Sequence, residues 1–125
     1  LGGGFLSGKY QRGDKPQFGR LAMMPEITEE SWERRAQERN WQILAVMDDI
    51  ATNYNLSHPQ IALAWLLEQP GVVSVIIGAR TLQQLDENIH TAQISLPGEE
   101  LERLTEISAP PKGYPYRFME VYGQR

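Results

Sequence analysis

The apolar residues of this chain fall at helical spacing over its middle third. Between residues 28 and 54 they recur at intervals of three and four positions, at Ile43, Val46, Met47, Ile50 and Tyr54. That periodicity is typical of an amphipathic helix. Thr28 precedes two glutamates, as an N-cap residue would, so the pattern predicts one long helix over 28–54.

Three further helices are predicted from start signals that precede apolar spacing. The first of them, over 57–69, opens with the capping-box sequence SHPQ and is apolar on nearly all sides, so we expect it to be buried. A helix over 81–93 follows Thr81, a good N-cap residue. The last predicted helix covers 98–108.

One stretch has the composition of a strand. Residues 72–77 (VVSVII) are mostly β-branched and apolar, as in a parallel strand that is covered on both faces. The order helix–strand–helix predicts an α/β fold, but one strand needs neighbours, so we expect a piece of a larger domain. Residues 1–25 are predicted to be a loop and 109–125 a tail, because glycine and proline interrupt both.

Composition narrows the classes of function. The net charge of -4 and the pI near 5.2 argue against a nucleic-acid partner. The chain has no cysteine, which removes disulfide and thiolate chemistry. Its longest apolar run, 61–67, is far shorter than the roughly 20 residues that cross a bilayer, and no signal peptide is visible. We therefore expect a cytoplasmic protein with no membrane partner, and the start at Leu1 predicts a longer parent protein.

The glycine-rich start of the chain raises the question of phosphate binding. Residues 3–9 (GGFLSGK) fit the spacing G-x-x-x-x-G-K of a P-loop, but Tyr10 stands where a P-loop has Ser or Thr for magnesium. No strand precedes the motif, and Gly13 and Pro16 prevent a helix from following it. Three interpretations stay open at this point: a P-loop, another kind of phosphate site, and a plain glycine turn.

A second candidate anion site lies at 78–88 (GARTLQQLDEN). The predicted strand ends at Gly78 and a helix begins at Thr81, where free amide groups and the helix dipole attract an anion. Arg80 adds a planar cation that suits a phosphate. Three polar residues share one side of the helix: Gln84, Glu87 and Asn88. The alternative interpretation makes Arg80 a solvated surface charge and Gln84 a capping-box partner of Thr81.

The order of these segments resembles the C-terminal part of aldo-keto reductases. The matching stretches are LGGGFLSGKY, ALAWLL, SVIIGART, QLDEN and LTEIS. The likeness is greatest to the bacterial branch that includes general stress oxidoreductases and is related to potassium-channel β subunits. It implies the C-terminal part of a (β/α)8 barrel, mostly helical here, with one parallel strand near 72–77. It also implies an oxidoreductase that reduces aldehyde or ketone carbonyls to alcohols with hydride from NADPH and without a metal.

The resemblance further implies that residues of 1–20 and of 78–88 hold NADPH. Those implied along the pyrophosphate and phosphates are Leu1, Gly2, Gly3 and Lys9. Those implied on the adenosine side are Phe18 and Arg20. Those implied at the 2′-phosphate, the ribose and the adenine are Gly78, Arg80, Gln84, Glu87 and Asn88.

No catalytic residue is expected in this chain, because the family's catalytic Asp, Tyr, Lys and His lie upstream of the matching segment. His58 and His90 are interpreted as capping or surface residues, and they lack metal-ligand spacing. We expect the complete protein to be an enzyme that acts on a small carbonyl substrate, and this chain alone to be inactive. The alternative is a non-catalytic cofactor-binding or assembly module. Open sheet edges predict self-association or dependence on the missing N-terminal half.

Overall fold

A computed structural model describes residues 1–111, together with 113, 115, 119 and 122. In that part of the chain, the regular structure is helical. The α-helices are α1 (Arg20–Met23), α2 (Trp32–Arg35), α3 (Glu38–Tyr54), α4 (His58–Leu67), α5 (Leu82–His90) and α6 (Gly98–Ser108). The 3-10 helices are Gly2–Ser7, which we name the glycine turn, and Thr91–Gln93.

Helix α3 lies at the centre of the hydrophobic core. One of its faces buries Leu44, Met47 and Ile50, which recur at helical spacing. It packs against both α4 and α6. Those helices contribute the buried residues Ile61, Ala64 and Leu104. The core is therefore a layer of three helices, and the glycine turn contacts α4 at its edge.

The single helix predicted over 28–54 is wrong in its first third. Ser31, rather than Thr28, is the N-cap: its hydroxyl accepts from the amide of Arg34 at 3.3 Å and starts the short α2. The Thr28 hydroxyl instead donates to the carbonyl of Pro25 at 2.8 Å, inside a turn. The apolar spacing predicts a helix here, but the hydrogen bonds of Thr28 and Ser31 determine where helical structure begins.

A break at Gln37 separates α2 from α3. Gln37 has an extended backbone, with φ -80 and ψ 152. The indole N–H of Trp41 donates to the carbonyl of Ala36 at 3.1 Å, and the side-chain amide of Asn40 donates to the carbonyl of Arg35 at 2.8 Å. These side-chain donors bind carbonyl groups that, in a continuous helix, would accept from backbone N–H groups.

The remaining predicted helices agree with the structure. Ser57 and Gln60 form the complete capping box before α4, so that prediction is confirmed. Thr81 caps α5, with its hydroxyl accepting from the amide of Gln84 at 3.2 Å. The helix predicted over 81–93 ends at His90 and continues as the 3-10 helix Thr91–Gln93, while α6 covers the predicted 98–108.

The strand predicted at 72–77 is not confirmed. No strand occurs in the described residues, and this segment lies on the surface, with Val73 96% and Ile76 98% exposed. A strand exists only as a hydrogen-bonded pair, and the part of the chain that the structure describes presents no second strand. The segment is therefore not a strand because it lacks a partner among the described residues, although its composition is that of a strand.

The tail predicted over 109–125 falls for the most part outside the described residues. Within the described ones, no helix is both long enough and apolar enough to cross a bilayer.

Candidate functional site

The glycine turn has a backbone that other residues rarely adopt. Gly2, Gly3 and Gly4 have φ values of 58°, 69° and 94°. A side chain at Gly3 would also meet Leu21, since an added Cβ would lie 3.1 Å from its Cδ2 atom. The conformation thus favours glycine at this position, and a larger residue would also require the Leu21 side chain to shift.

Aromatic side chains hold the glycine turn on the helical core. Phe5 is buried, and its ring centroid lies 4.8 Å from that of Trp41 in α3. Tyr10 follows the turn and packs edge-on against Trp32 of α2, with centroids 5.7 Å apart. Such pairs stabilise beyond the area that they bury. The turn is therefore packed onto the helices and is not a free loop.

A cleft of about 330 Å³ brings together residues from five separate segments. Its floor is apolar, with Leu63 and Leu66 from α4. Its wall includes five of the residues predicted from the sequence: Leu1, Gly3, Arg20, Gly78 and Asn88. Arg20 forms an ion pair with Glu30 at 2.7 Å. Residues more than 70 positions apart in the chain thus face the same cavity.

The start of α5 places the other predicted residues of 78–88 beside this cleft's Gly78 and Asn88. The side-chain oxygen of Gln84 accepts from the amide of Arg80 at 2.9 Å, so Gln84 reaches past Thr81 and does not complete a capping box with it. The carboxylate of Glu87 accepts from the side chain of Gln83 at 3.0 Å. The Arg80 side chain is exposed, and no carboxylate of the described residues pairs with it. An exposed guanidinium with no carboxylate partner among the described residues therefore stands at the N-terminus of α5.

Lys9 and Phe18 lie in a second cleft, of about 400 Å³, which Tyr10 also lines. The Lys9 ammonium is 4.9 Å from the centroid of the Tyr10 ring. Phe18 is 83% exposed, so its ring is available for stacking. Gly2 lines neither cleft and packs against the guanidinium of Arg35.

An exposed ion pair borders the second cleft. The Lys15 ammonium donates to the Glu33 carboxylate at 2.6 Å. This hydrogen bond raises the pKa of Lys15 and lowers the pKa of Glu33. Both groups are consequently charged near neutral pH.

Sequence reasoning missed two polar groups that flank the glycine turn. The Tyr10 hydroxyl and the Arg35 Nε are buried without a hydrogen-bond partner, in contrast to the other buried side-chain atoms of the described residues. The hydroxyl lies 4.0 Å from the point that a Cβ on Gly4 would occupy, and an Arg35 nitrogen lies 3.9 Å from the same point on Gly2. In the sequence, Tyr10 is notable only as a departure from the P-loop pattern, and no local pattern indicates a role for Arg35.

The P-loop interpretation fails on geometry. A P-loop leads from a buried strand directly into a helix, whereas residues 8–19 contain no helix and no strand precedes them. Nor do the described residues include a cluster of three side chains suited to a metal ion.

The chain belongs to the aldo/keto reductase family. The sequence model of that family matches residues 1–109, which covers the glycine turn, both clefts and all six helices. Membership implies that these helices are part of a (β/α)8 barrel.

Three relatives illustrate the similarity. Protein tas of Escherichia coli (strain K12) is 35% identical over 116 residues, which cover 93% of this chain and 31% of that protein. L-glyceraldehyde 3-phosphate reductase of the same organism is 35% identical over 89 residues, 71% of this chain and 25% of that protein. Aldo-keto reductase yakc of Schizosaccharomyces pombe (strain 972 / ATCC 24843), whose name specifies NADP(+), is 28% identical over 107 residues, 85% of this chain and 30% of that protein. The chain thus spans about a third of the length of these curated relatives.

Proposed function

We propose that residues 1–125 are the NADPH-binding portion of an aldo-keto reductase that reduces aldehyde or ketone carbonyls to alcohols. The observation that carries the proposal is the shared cleft, in which Gly3, Arg20, Gly78 and Asn88 meet from distant parts of the chain. Family membership and the NADP(+) in the name of one relative support the choice of cofactor.

Residues beside the cleft, at the glycine turn and at the start of α5, fit a cofactor that carries phosphates. Glycines with positive φ let a ligand approach the backbone closely, and Lys9 beside them supplies a positive charge. At the other end, the guanidinium of Arg80 lacks a carboxylate partner among the described residues and stands before the amides of α5. The glycine turn and the start of α5 offer one anion site each, as a dinucleotide with a 2′-phosphate requires.

The residues of this chain bind and orient the cofactor and do not take part in proton transfer. When bound, NADPH supplies the hydride that reduces the carbonyl carbon. The ring nitrogen Nε2 of His58 lies 2.8 Å from a carboxylate oxygen of Asp48, and Nδ1 of His90 lies 2.8 Å from the carbonyl of Asp86. We propose that proton donation comes from outside residues 1–125 and that this chain alone shows no turnover.

The test of this function compares cofactors in the protein at its natural length. Replacing Arg80 with Ala removes one charge-assisted contact, so we expect NADPH to bind at least about tenfold more weakly and NADH less than about threefold. Arg34→Ala is the matched control, since Arg34 is an exposed arginine whose guanidinium lies 3.5 Å from Glu29. Equal weakening of both cofactors would refute the role of Arg80, and no binding of either cofactor to the unsubstituted protein would refute the function.

Dependence on a further part of the protein stays a prediction. The exposure of Val73 and Ile76 supports it, because isolated apolar side chains of this size favour burial. The proposed cytoplasmic location and small carbonyl substrate rest on family membership alone.

A further inference from the structure

His58 packs against Gly8, the residue that directly follows the glycine turn. An added Cβ on Gly8 would lie 2.8 Å from Nδ1, 2.9 Å from Cγ and 3.0 Å from Cε1 of the His58 ring. Such short distances mean that the imidazole is in direct contact with the backbone of Gly8. Gly8 has a φ of 73°, a conformation that glycine adopts without strain.

Asp48 holds this ring in place from the opposite side. Nε2 of His58 lies 2.8 Å from Oδ1 of Asp48, while the side chain of His58 is only 19% exposed. Asp48 belongs to α3, the central helix of the core. The contacts therefore run from α3 through Asp48 and His58 to Gly8.

Lys9 brings its ammonium back to the glycine turn from the position after Gly8. Its backbone follows Gly8 directly, and its ammonium lies 3.7 Å from the point that a Cβ on Gly4 would occupy. The φ and ψ of Gly8 set the direction in which the chain leaves the turn. The imidazole of His58 is thus packed against the residue from which the chain leads to Lys9.

We propose that His58, oriented by Asp48, is a positioning residue that keeps Lys9 over the glycine turn. The proposal rests on the proposed cofactor function, and it assigns to His58 a role beyond helix capping. Through Lys9, the His58–Asp48 pair sets the affinity for the pyrophosphate of the cofactor. It leaves the 2′-phosphate end at Arg80 untouched.

The test measures binding of NADP+ and of 2′-AMP to the protein at its natural length. His58→Ala should weaken NADP+ about tenfold, the effect of one lost charge-assisted contact, while 2′-AMP, which has no pyrophosphate, changes less than about twofold. Asp48→Ala leaves the ring present but unheld and should weaken NADP+ by a smaller factor, about threefold. Asp48→Asn retains an oxygen acceptor and should restore most of the affinity.

His90→Ala is the matched control. His90 forms the same kind of pair with an aspartate, at 3.4 Å from Asp86, but it lies on α5 and touches no glycine of the turn. We expect it to leave NADP+ binding unchanged. Equal weakening of both ligands by His58→Ala, in step with a lower melting temperature, would overturn the proposal in favour of a purely structural role.

Unchanged NADP+ binding in both the His58 and the Asp48 variants would overturn it as well. These failures are distinct from failure of the proposed function, in which the unsubstituted protein would bind neither NADP+ nor 2′-AMP.

Discussion

The layer formed by α3, α4 and α6 and the segment 72–90 are equally rich in apolar residues but differ completely in burial. Ile50 in α3 is 0% exposed, whereas Ile76 is 98% exposed and α5 contains no buried residue. The difference lies in the neighbours: α3 packs on two helices of its own chain, whereas the described residues offer 72–77 no second strand to pair with. An apolar composition means that burial of a segment is favourable, and the segments around it determine whether it is buried.

The largest expected effect contrasts these two regions directly. Ile50→Ala in residues 1–125 removes a fully buried side chain and should lower the free energy of unfolding by about 3 kcal/mol, whereas Ile76→Ala should change it by less than about 0.5 kcal/mol. Denaturant titrations of both variants measure the difference. In a longer protein that covers Ile76, the second substitution should become costly. Equal effects of the two substitutions in residues 1–125 would remove the contrast.

Gly8→Ala should destabilise next most strongly, by about 2 to 3 kcal/mol, because a positive φ and a collision with the His58 ring add together. Gly13→Ala is its control, with a φ of 89° and no atom within 4 Å of an added Cβ. It should cost only the conformational part, about 1 kcal/mol. Thermal unfolding of the two variants separates the terms, and identical losses would contradict the close contact of Gly8 with His58.

Substitutions of the helix caps test the same contrast between the two regions, with smaller expected effects. Ser57→Ala removes the cap of α4, which lies in the core layer, and should lower the global free energy of unfolding by about 1 kcal/mol. Thr81→Ala removes the cap of α5 and should instead increase the amide exchange of α5 without moving the global transition. A global loss from Thr81→Ala would show that α5 unfolds together with the core.

The smallest effect is a dependence on pH. The pKa of Glu33 is lowered, chiefly by its hydrogen bond with Lys15, so folding favours the ionised form. The stabilisation is therefore fully present above the ordinary pKa of glutamate and is lost as the pH falls through the lowered value. Because the pair is exposed, the effect is small. Unfolding curves of the unsubstituted chain and of Glu33→Gln should converge at low pH, and a gap that stays constant would contradict this origin.

Local signals in the sequence were sufficient for much of the fold. The capping box at Ser57 and the cap at Thr81 are confirmed because each depends on residues within one helical turn. The break at Gln37 was not predictable from periodicity, since it depends on side-chain donors from Trp41 and Asn40. The strand at 72–77 required a partner that no local pattern supplies.

The candidate site shows the same division. Motif spacing and family resemblance predict a role for the glycines and for the arginine at the start of α5. The contact of His58 with Gly8 joins residues 50 positions apart and leaves no local signal. Tyr10 and Arg35 became candidates only because burial left their polar atoms without partners.

The central claim is that the glycine turn and the segment 78–88 form the two ends of one cofactor site. Amide hydrogen exchange of the protein at its natural length, with and without NADP+, tests it most directly. The account predicts slower exchange at 2–9 and at 79–88 together, with no change in α6. Protection of only one of these two segments, or of neither when NADP+ is bound, would contradict it.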